Sequence, residues 1–229
     1  MVGVEDYLDM QKRYYEADAS RWSLQNKDPV VGNWHLHESW PDYDDILFRN
    51  IDTQGLVALE YGCGPGRNLV RFANRFERVD GIDIAEENIK KAKLYKDSCG
   101  VAKGLLFAND GKTIDVPNDT YDVVFSVICL QHICCHEIRK SIMQEIYRVL
   151  KPGGSFCAQM GFGGRNNSVD YYANEYHATS TNGGRDVSIT NEDFLKLDLI
   201  DMGFKDYNSM LRTPCSDEHA YWLWFQVKK

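Results

Sequence analysis

The residues with the most chemistry in them lie between 60 and 132. Glu60-Tyr61-Gly62-Cys63-Gly64-Pro65-Gly66 follows the apolar run Leu56–Leu59 and leads into a helix-like segment from Arg67 to Asn74. Glycine is needed where a backbone turns sharply and must approach a ligand closely, and a helix N-terminus presents free N–H groups. One glycine would serve a simple tight turn. Three at alternate positions, behind an acidic strand end, read as a ligand cradle. Asp83 ends the next apolar run about 20 residues after the first glycine, where a carboxylate can accept from both hydroxyls of a ribose; Ile84 follows it. Ala108-Asn109-Asp110-Gly111 ends a third run, and Asp110 there either accepts from an adenine amino group or closes an Asx-type turn. His132, after a fourth run, has the residue type of a proton acceptor at neutral pH; it equally fits a histidine that bonds loop backbone beside the ligand.

These positions need elements that bring them to one edge. From Leu56 onward short apolar runs alternate with amphipathic stretches, the pattern of βαβ units and a parallel sheet. The spacing predicts strands at 56–61, 78–84, 104–109, 121–128 and 154–161, and helices near 65–77, 86–97 and 136–150. In the 86–97 helix, Ile84, Ile89, Ala92 and Leu94 are the apolar neighbours. Glu86, Glu87, Lys90, Lys91, Lys93 and Lys96 form a solvated face. Residues 162–189 have little periodicity and read as a long loop of the kind that usually serves function. A helix over Asn191–Met202 and an antiparallel pair, Phe204–Leu211 and His219–Val227, close the chain. Ligands of such sheets bind at the carboxyl ends of the strands, which is where the four chemistry-bearing positions fall.

Composition narrows the partners. The chain has 229 residues and a formal charge of −8, so it is long enough to bury a core without staples and repels nucleic acid, which is not expected as a partner. No run approaches a membrane span and Met1–Met10 is acidic rather than a leader, so no membrane association and a cytoplasmic location are expected. Seven cysteines, an odd number and unevenly spread, suit free thiols. Cys129, His132, Cys134, Cys135 and His136 crowd together, but no paired C-x-x-C lies elsewhere, and no metal is expected. A dinucleotide is the competing cofactor; its fingerprint wants G-x-G-x-x-G, and Arg67 stands where the last glycine belongs.

Six pieces in order then carry a resemblance: Glu60–Asn68, Gly81-Ile82-Asp83, Asn109-Asp110-Gly111, Tyr121–Ser126, Leu130-Gln131-His132-Ile133 and Arg148–Gly154. Residues 56–161 resemble the class I S-adenosylmethionine-dependent methyltransferases of the small single-domain type. That resemblance implies a Rossmann-like α/β fold, with a seven-stranded, mostly parallel sheet, helices on both faces and a C-terminal antiparallel hairpin. It implies S-adenosyl-L-methionine as cofactor, with Glu60, Gly62, Gly64 and Gly66 at the methionine portion, Asp83 at the ribose and Asp110 at adenine. Ile84, Asn109, Gly111 and Ser126 adjoin them. It also implies an N-terminal segment over the cofactor, with Tyr14, Tyr15 and Arg21 as lid candidates.

The expected organisation is a single domain: an N-terminal helical cap over 1–55, a cofactor-binding core over 56–161, a substrate-lid loop over 162–189 and a C-terminal helix and strand pair over 190–229. Trp34 and His35 of the cap, with Tyr171, Tyr172, Tyr176 and His177 of the loop, are the candidates to enclose a methyl acceptor; plugs that hold lid to body are the alternative. The expected reaction is methyl transfer to N or O of a small molecule by a monomer or homodimer. A protein or peptide acceptor, or a non-catalytic binding module on the same fold, are the alternatives.

Overall fold

A computed structural model of the chain describes residues 3–21, 43, 45–164, 168–179, 186–213 and 219–229. In chain order these form α1 (Val4–Ser20), β1 (Val57–Tyr61), α2 (Arg67–Arg71), β2 (Arg78–Asp83), α3 (Glu86–Ser98), β3 (Leu106–Ala108), β4 (Tyr121–Ser126), β5 (Ile133–Cys135), α4 (His136–Val149), β6 (Leu150–Gly164), β7 (Asn174–Thr179), β8 (Ser188–Ile189), α5 (Glu192–Asp201), β9 (Lys205–Arg212) and β10 (His219–Lys228). The main sheet runs β3-β2-β1-β4-β6-β10-β9, and β8 also pairs with β6. The pairs from β3 to β6 are parallel, whereas β10 is antiparallel to both β6 and β9. The seven strands expected from the sequence are those of this path, and the α/β fold with its C-terminal antiparallel hairpin is the one observed.

Period-two alternation explains why the sheet has two buried faces. Leu59, Tyr61, Val124, Phe156, Ala158, Leu223 and Phe225 point into one core, with Ile138, Ile142 and Ile146 of α4 and Leu195 and Leu199 of α5. Their neighbours Ala58, Val123, Phe125, Cys157, Trp222 and Trp224 point into the other, with Leu69 of α2 and Ala92 of α3. Successive strand side chains face opposite ways, so near-continuous apolar runs are what a sheet covered on both faces requires.

Four expectations need correction. The 162–189 stretch is not a featureless loop: β6 extends to Gly164, β7 pairs antiparallel with β5 in a second small sheet, and β8 joins the main one. The helix expected over 65–77 is only Arg67–Arg71, begun at Gly66 with φ 88°. Side-chain periodicity misjudged two residues of α3: Leu94 is 55% exposed, whereas Lys96 is buried and its Nζ donates to the Gly104 carbonyl at 2.7 Å. A lysine can bury its stem and still satisfy its charge at one carbonyl, which a helical wheel does not reveal. Lastly, the core does not begin at Leu56. Tyr43, Ile46, Leu47 and Phe48 are buried in the second core, where Phe48 meets Phe72, Phe76 and Phe125 edge-to-face.

Candidate functional site

The carboxyl ends of β1, β2 and β4 meet at one cavity of about 410 Å³. At the end of β1, Glu60 is 2% exposed and its Oε1 accepts from Asn68 Nδ2 at 2.7 Å. Its Oε2 is buried with no hydrogen-bond partner. Burial pushes the Glu60 carboxyl up to about 8, against the smaller opposing effects of Asn68 and Arg67. An unpaired buried carboxylate oxygen is costly, so the group is poised for a ligand that brings positive charge or N–H donors.

The glycine loop supplies the cradle. Gly64 has φ 52°, and a Cβ built there meets nothing within 4 Å, so the backbone itself faces open space. Gly66 serves packing instead: a Cβ there would lie 3.0 Å from that of Ala92. At the end of β2, Asp83 Oδ2 accepts from the Gly64 N–H at 2.9 Å, and Oδ1 accepts from the Ala85 N–H at 2.9 Å and Asn88 Nδ2 at 3.1 Å. Burial raises the Asp83 carboxyl, and these bonds partly offset the rise. The three bonds lock the carboxylate between the cradle and the start of α3.

The fourth side is α1, whose Tyr7, Gln11, Tyr14, Tyr15 and Asp18 line the cavity. Three contacts seat it: the Tyr7 hydroxyl accepts from the Cys134 N–H at 2.7 Å, Gln11 Nε2 donates to the His132 carbonyl at 3.2 Å, and the Glu16 carboxylate accepts from the Glu86 and Glu87 N–H groups at 2.7 and 3.0 Å. Arg21, by contrast, is exposed at the end of the helix and pairs with Asp18.

His132 also lines the cavity, and its Nδ1 lies 2.8 Å from Asp186 Oδ1. Burial opposes charge on Asp186, but His132 and then His219 more than offset it and hold the carboxyl well below the usual carboxylate range. The backbone fixes this pair, since the Val187 N–H donates to the Gln131 carbonyl at 2.8 Å and β8 is tied to β6.

Of the residues singled out from the sequence, Glu60, Gly62, Gly64, Asp83, Ile84, Gly111 and His132 share the lining. Gly66, Asn109, Asp110 and Ser126 are not part of it. Asp110 Oδ1 accepts from the Lys112 and Thr113 N–H groups at 2.8 and 2.7 Å, the Asx-type turn that was the competing reading. Asn109 Nδ2 donates to the Thr113 carbonyl, and Ser126 Oγ donates to the Tyr61 carbonyl.

The lid-loop aromatics Tyr171, Tyr172, Tyr176 and His177 lie outside the lining. Tyr171 is fully buried and donates to Asp198 Oδ2 at 2.9 Å, an oxygen that also takes His136 Nε2 at 2.6 Å. Tyr172 is exposed and packs on His136 and Phe194, Tyr176 bonds Glu137, and His177 is exposed on β7. The polar groups of α4 and α5 capture these rings first. Trp34 and His35 lie outside the described residues. Gln11, Asn88 and Asp186 were missed, and only Asn88, two residues into the helix after Asp83, had a positional clue.

Among the described residues no cluster of His, Cys, Asp and Glu could hold a metal ion, and no helix is long and apolar enough to cross a membrane. The six described cysteines are free thiols.

With the geometry in place, comparison with known proteins defines the class. Residues 58–154 match the family model described as a methyltransferase domain. A sterol 24-C-methyltransferase of Eremothecium gossypii is 34% identical over 109 residues, which are 46% of this chain and 28% of that protein. An S-adenosyl-L-methionine-dependent Diels-Alderase of Neonectria is 28% identical over 188 residues, 76% of this chain and 68% of that protein. In fold, the chain aligns over its whole length with 61% of a Haemonchus contortus phosphoethanolamine N-methyltransferase solved with S-adenosylhomocysteine, at 18% identity and a TM-score of 0.69. Residues 58–154 are therefore similar to methyltransferase domains, on a fold shared with solved S-adenosylmethionine-dependent methyltransferases. The chain spans less than half the length of the first curated sterol relatives it matches. The residues fit a cofactor of that kind: Glu60 Oε2 is buried without a partner and would suit a cationic amino end, Gly64 is open to close approach, and the Asp83 carboxylate lines the same cavity.

Proposed function

We propose that the chain transfers the methyl group of S-adenosylmethionine to a nitrogen or oxygen of a small molecule, with His132 taking the acceptor's proton. The observation that carries this reading is that His132 and the Glu60–Gly64–Asp83 cradle line one cavity. The cofactor supplies, when bound, a methyl group already activated on a positively charged sulfur. What remains for the protein is alignment, exclusion of water and removal of a proton. Glu60 holds the amino end of the donor and Asp83 its ribose. α1 covers the cavity, and the His132 imidazole stands at the wall contributed by the segment after β4.

A second reading, methylation of carbon, is favoured by the sterol 24-C-methyltransferase relatives. The wall carries Gln11, Asp18, His132 and Asp186 beside apolar Leu8, Val127, Ile133 and Ile138, and its polar members favour the first. A panel incubated with methyl-labelled S-adenosylmethionine decides. Label on amines or hydroxyls supports the proposal, and label on a Δ24 sterol alone supports the second. Thermal stabilisation by S-adenosylhomocysteine with no labelled product would make the chain a binding module.

A further inference from the structure

We propose that Asp186 is a positioning residue for this site: it fixes His132 with Nδ1 protonated, so that Nε2 is the atom that receives the acceptor's proton. This rests on the reading of His132 as proton acceptor. No sequence motif points to Asp186, which precedes β8 in a stretch of Gly, Ser and Asn.

Geometry makes the case. Asp186 Oδ1 lies 2.8 Å from His132 Nδ1, at the distance of a charge-assisted hydrogen bond. A carboxylate offers only acceptors, so in the neutral ring the bonded nitrogen must be the one carrying the hydrogen. Asp186 is 5% exposed, and its other oxygen is held too: Gln131 Nε2 donates to Oδ2 at 3.4 Å and His219 Nε2 lies 3.6 Å from it. The fold makes room for this arrangement. A side chain at Gly161 would collide with the His219 ring, which lies fully buried over that glycine. The main chain that carries Asp186 is fixed as well, since the residue after it donates to the Gln131 carbonyl and Val169 N–H donates to the Asp186 carbonyl, both at 2.8 Å.

The chemistry follows from the tautomer. As the acceptor nitrogen or oxygen forms its bond to the methyl carbon, the carbon–sulfur pair stays on sulfur. The acceptor's N–H or O–H pair stays on the acceptor, and its proton moves to Nε2. The imidazolium so formed lies against a buried carboxylate that stabilises it. The other titratable groups around the cavity are Tyr7, Tyr14, Tyr15 and Asp18 on α1, Glu60 and Asp83 at the strand ends, Cys63 and Arg67 of the glycine loop and α2, and Cys129 after β4. Cys134 lies beside the His132 carbonyl.

The test uses the full chain with ring-labelled histidine, loaded with S-adenosylhomocysteine, and reads His132 by heteronuclear NMR; His132→Gln identifies the signal. The expected result is a neutral ring protonated on Nδ1, and a titration midpoint that falls by about one pH unit or more in Asp186→Asn. S-adenosylhomocysteine affinity should be unchanged in that variant. A wild-type ring protonated on Nε2 overturns the proposal, and so does an unmoved midpoint in a folded Asp186→Asn. If that variant does not fold, the wild-type tautomer decides alone. Neither readout needs methyl transfer, so a panel with no labelled product would reject the proposed function while leaving the tautomer result standing.

Discussion

The two halves of the cavity are built in opposite ways. The proposed cofactor half comes from a short stretch of chain: Glu60 near the carboxyl end of β1, Gly64 in the loop that follows, and Asp83 as the last residue of β2. The half proposed for the acceptor is assembled from Gln11, His132 and Asp186, which are 121 and 54 residues apart along the chain and are joined by hydrogen bonds. A donor common to many proteins can be met by a local motif that folds with its βαβ unit. An acceptor particular to one protein is met by whichever distant segments the fold brings alongside.

That contrast can be broken at either end. Asp83→Asn should have the largest effect in the cofactor half. It loses a charge-assisted grip on the ribose and turns an N–H donor toward the Gly64 or Ala85 amide, so S-adenosylhomocysteine affinity by calorimetry should fall on the order of 100-fold. His132→Asn should instead leave that affinity within about twofold. It should slow labelled methyl transfer by roughly 10² to 10⁴, the range of a lost general base. Equal losses of binding in both variants would show that the halves are not separable.

Glu60→Gln sharpens the comparison because stability and binding should move in opposite directions. The folded carboxyl is raised to about 8 by burial, so the folded state holds a proton that the unfolded chain releases from about pH 4.3. Stability without ligand therefore falls as pH rises across that window. The amide has no charge to bury. The ligand-free Tm at pH 8 should rise by about 2–4 °C, and the gain should vanish near pH 4. Cofactor affinity should drop about tenfold. A lower Tm would mean that the carboxylate is already paired without ligand.

The smallest effect is expected at Tyr171→Phe. Removing a buried hydroxyl that donates to Asp198 should cost about 1–2 kcal/mol of stability, read as a lower midpoint in denaturant, with transfer kinetics unaltered. A change in the acceptor's KM would return the lid aromatics to the site.

The same division explains what was legible in the sequence. Glu60, Gly64 and Asp83 could be read because strand periodicity and loop chemistry are local. Asp110 was ambiguous for an equally local reason, since the same carboxylate can cap its own turn, and here it does. Asp186 carries no periodic signal, because its partner is set by β8 joining β6. The lid tyrosines were placed at the cavity on residue type alone, whereas a buried Asp198 beside His136 competes for the Tyr171 hydroxyl and wins. Tyr43, Ile46, Leu47 and Phe48 fall in the polar and aromatic stretch that composition assigns to the cap, yet three neighbouring phenylalanines draw Phe48 into the core.

The Glu16 carboxylate, seated on the first two amides of α3, gives the N-terminal helix a second occupation. Those amides have no partner within their own helix, so α1 completes α3 as well as covering the cavity. Lifting the cover would expose the amide ends of α3 next to Asp83 at the same moment. If the donor exchanges by lifting of α1, hydrogen exchange at the Glu86 and Glu87 amides should quicken with cofactor release.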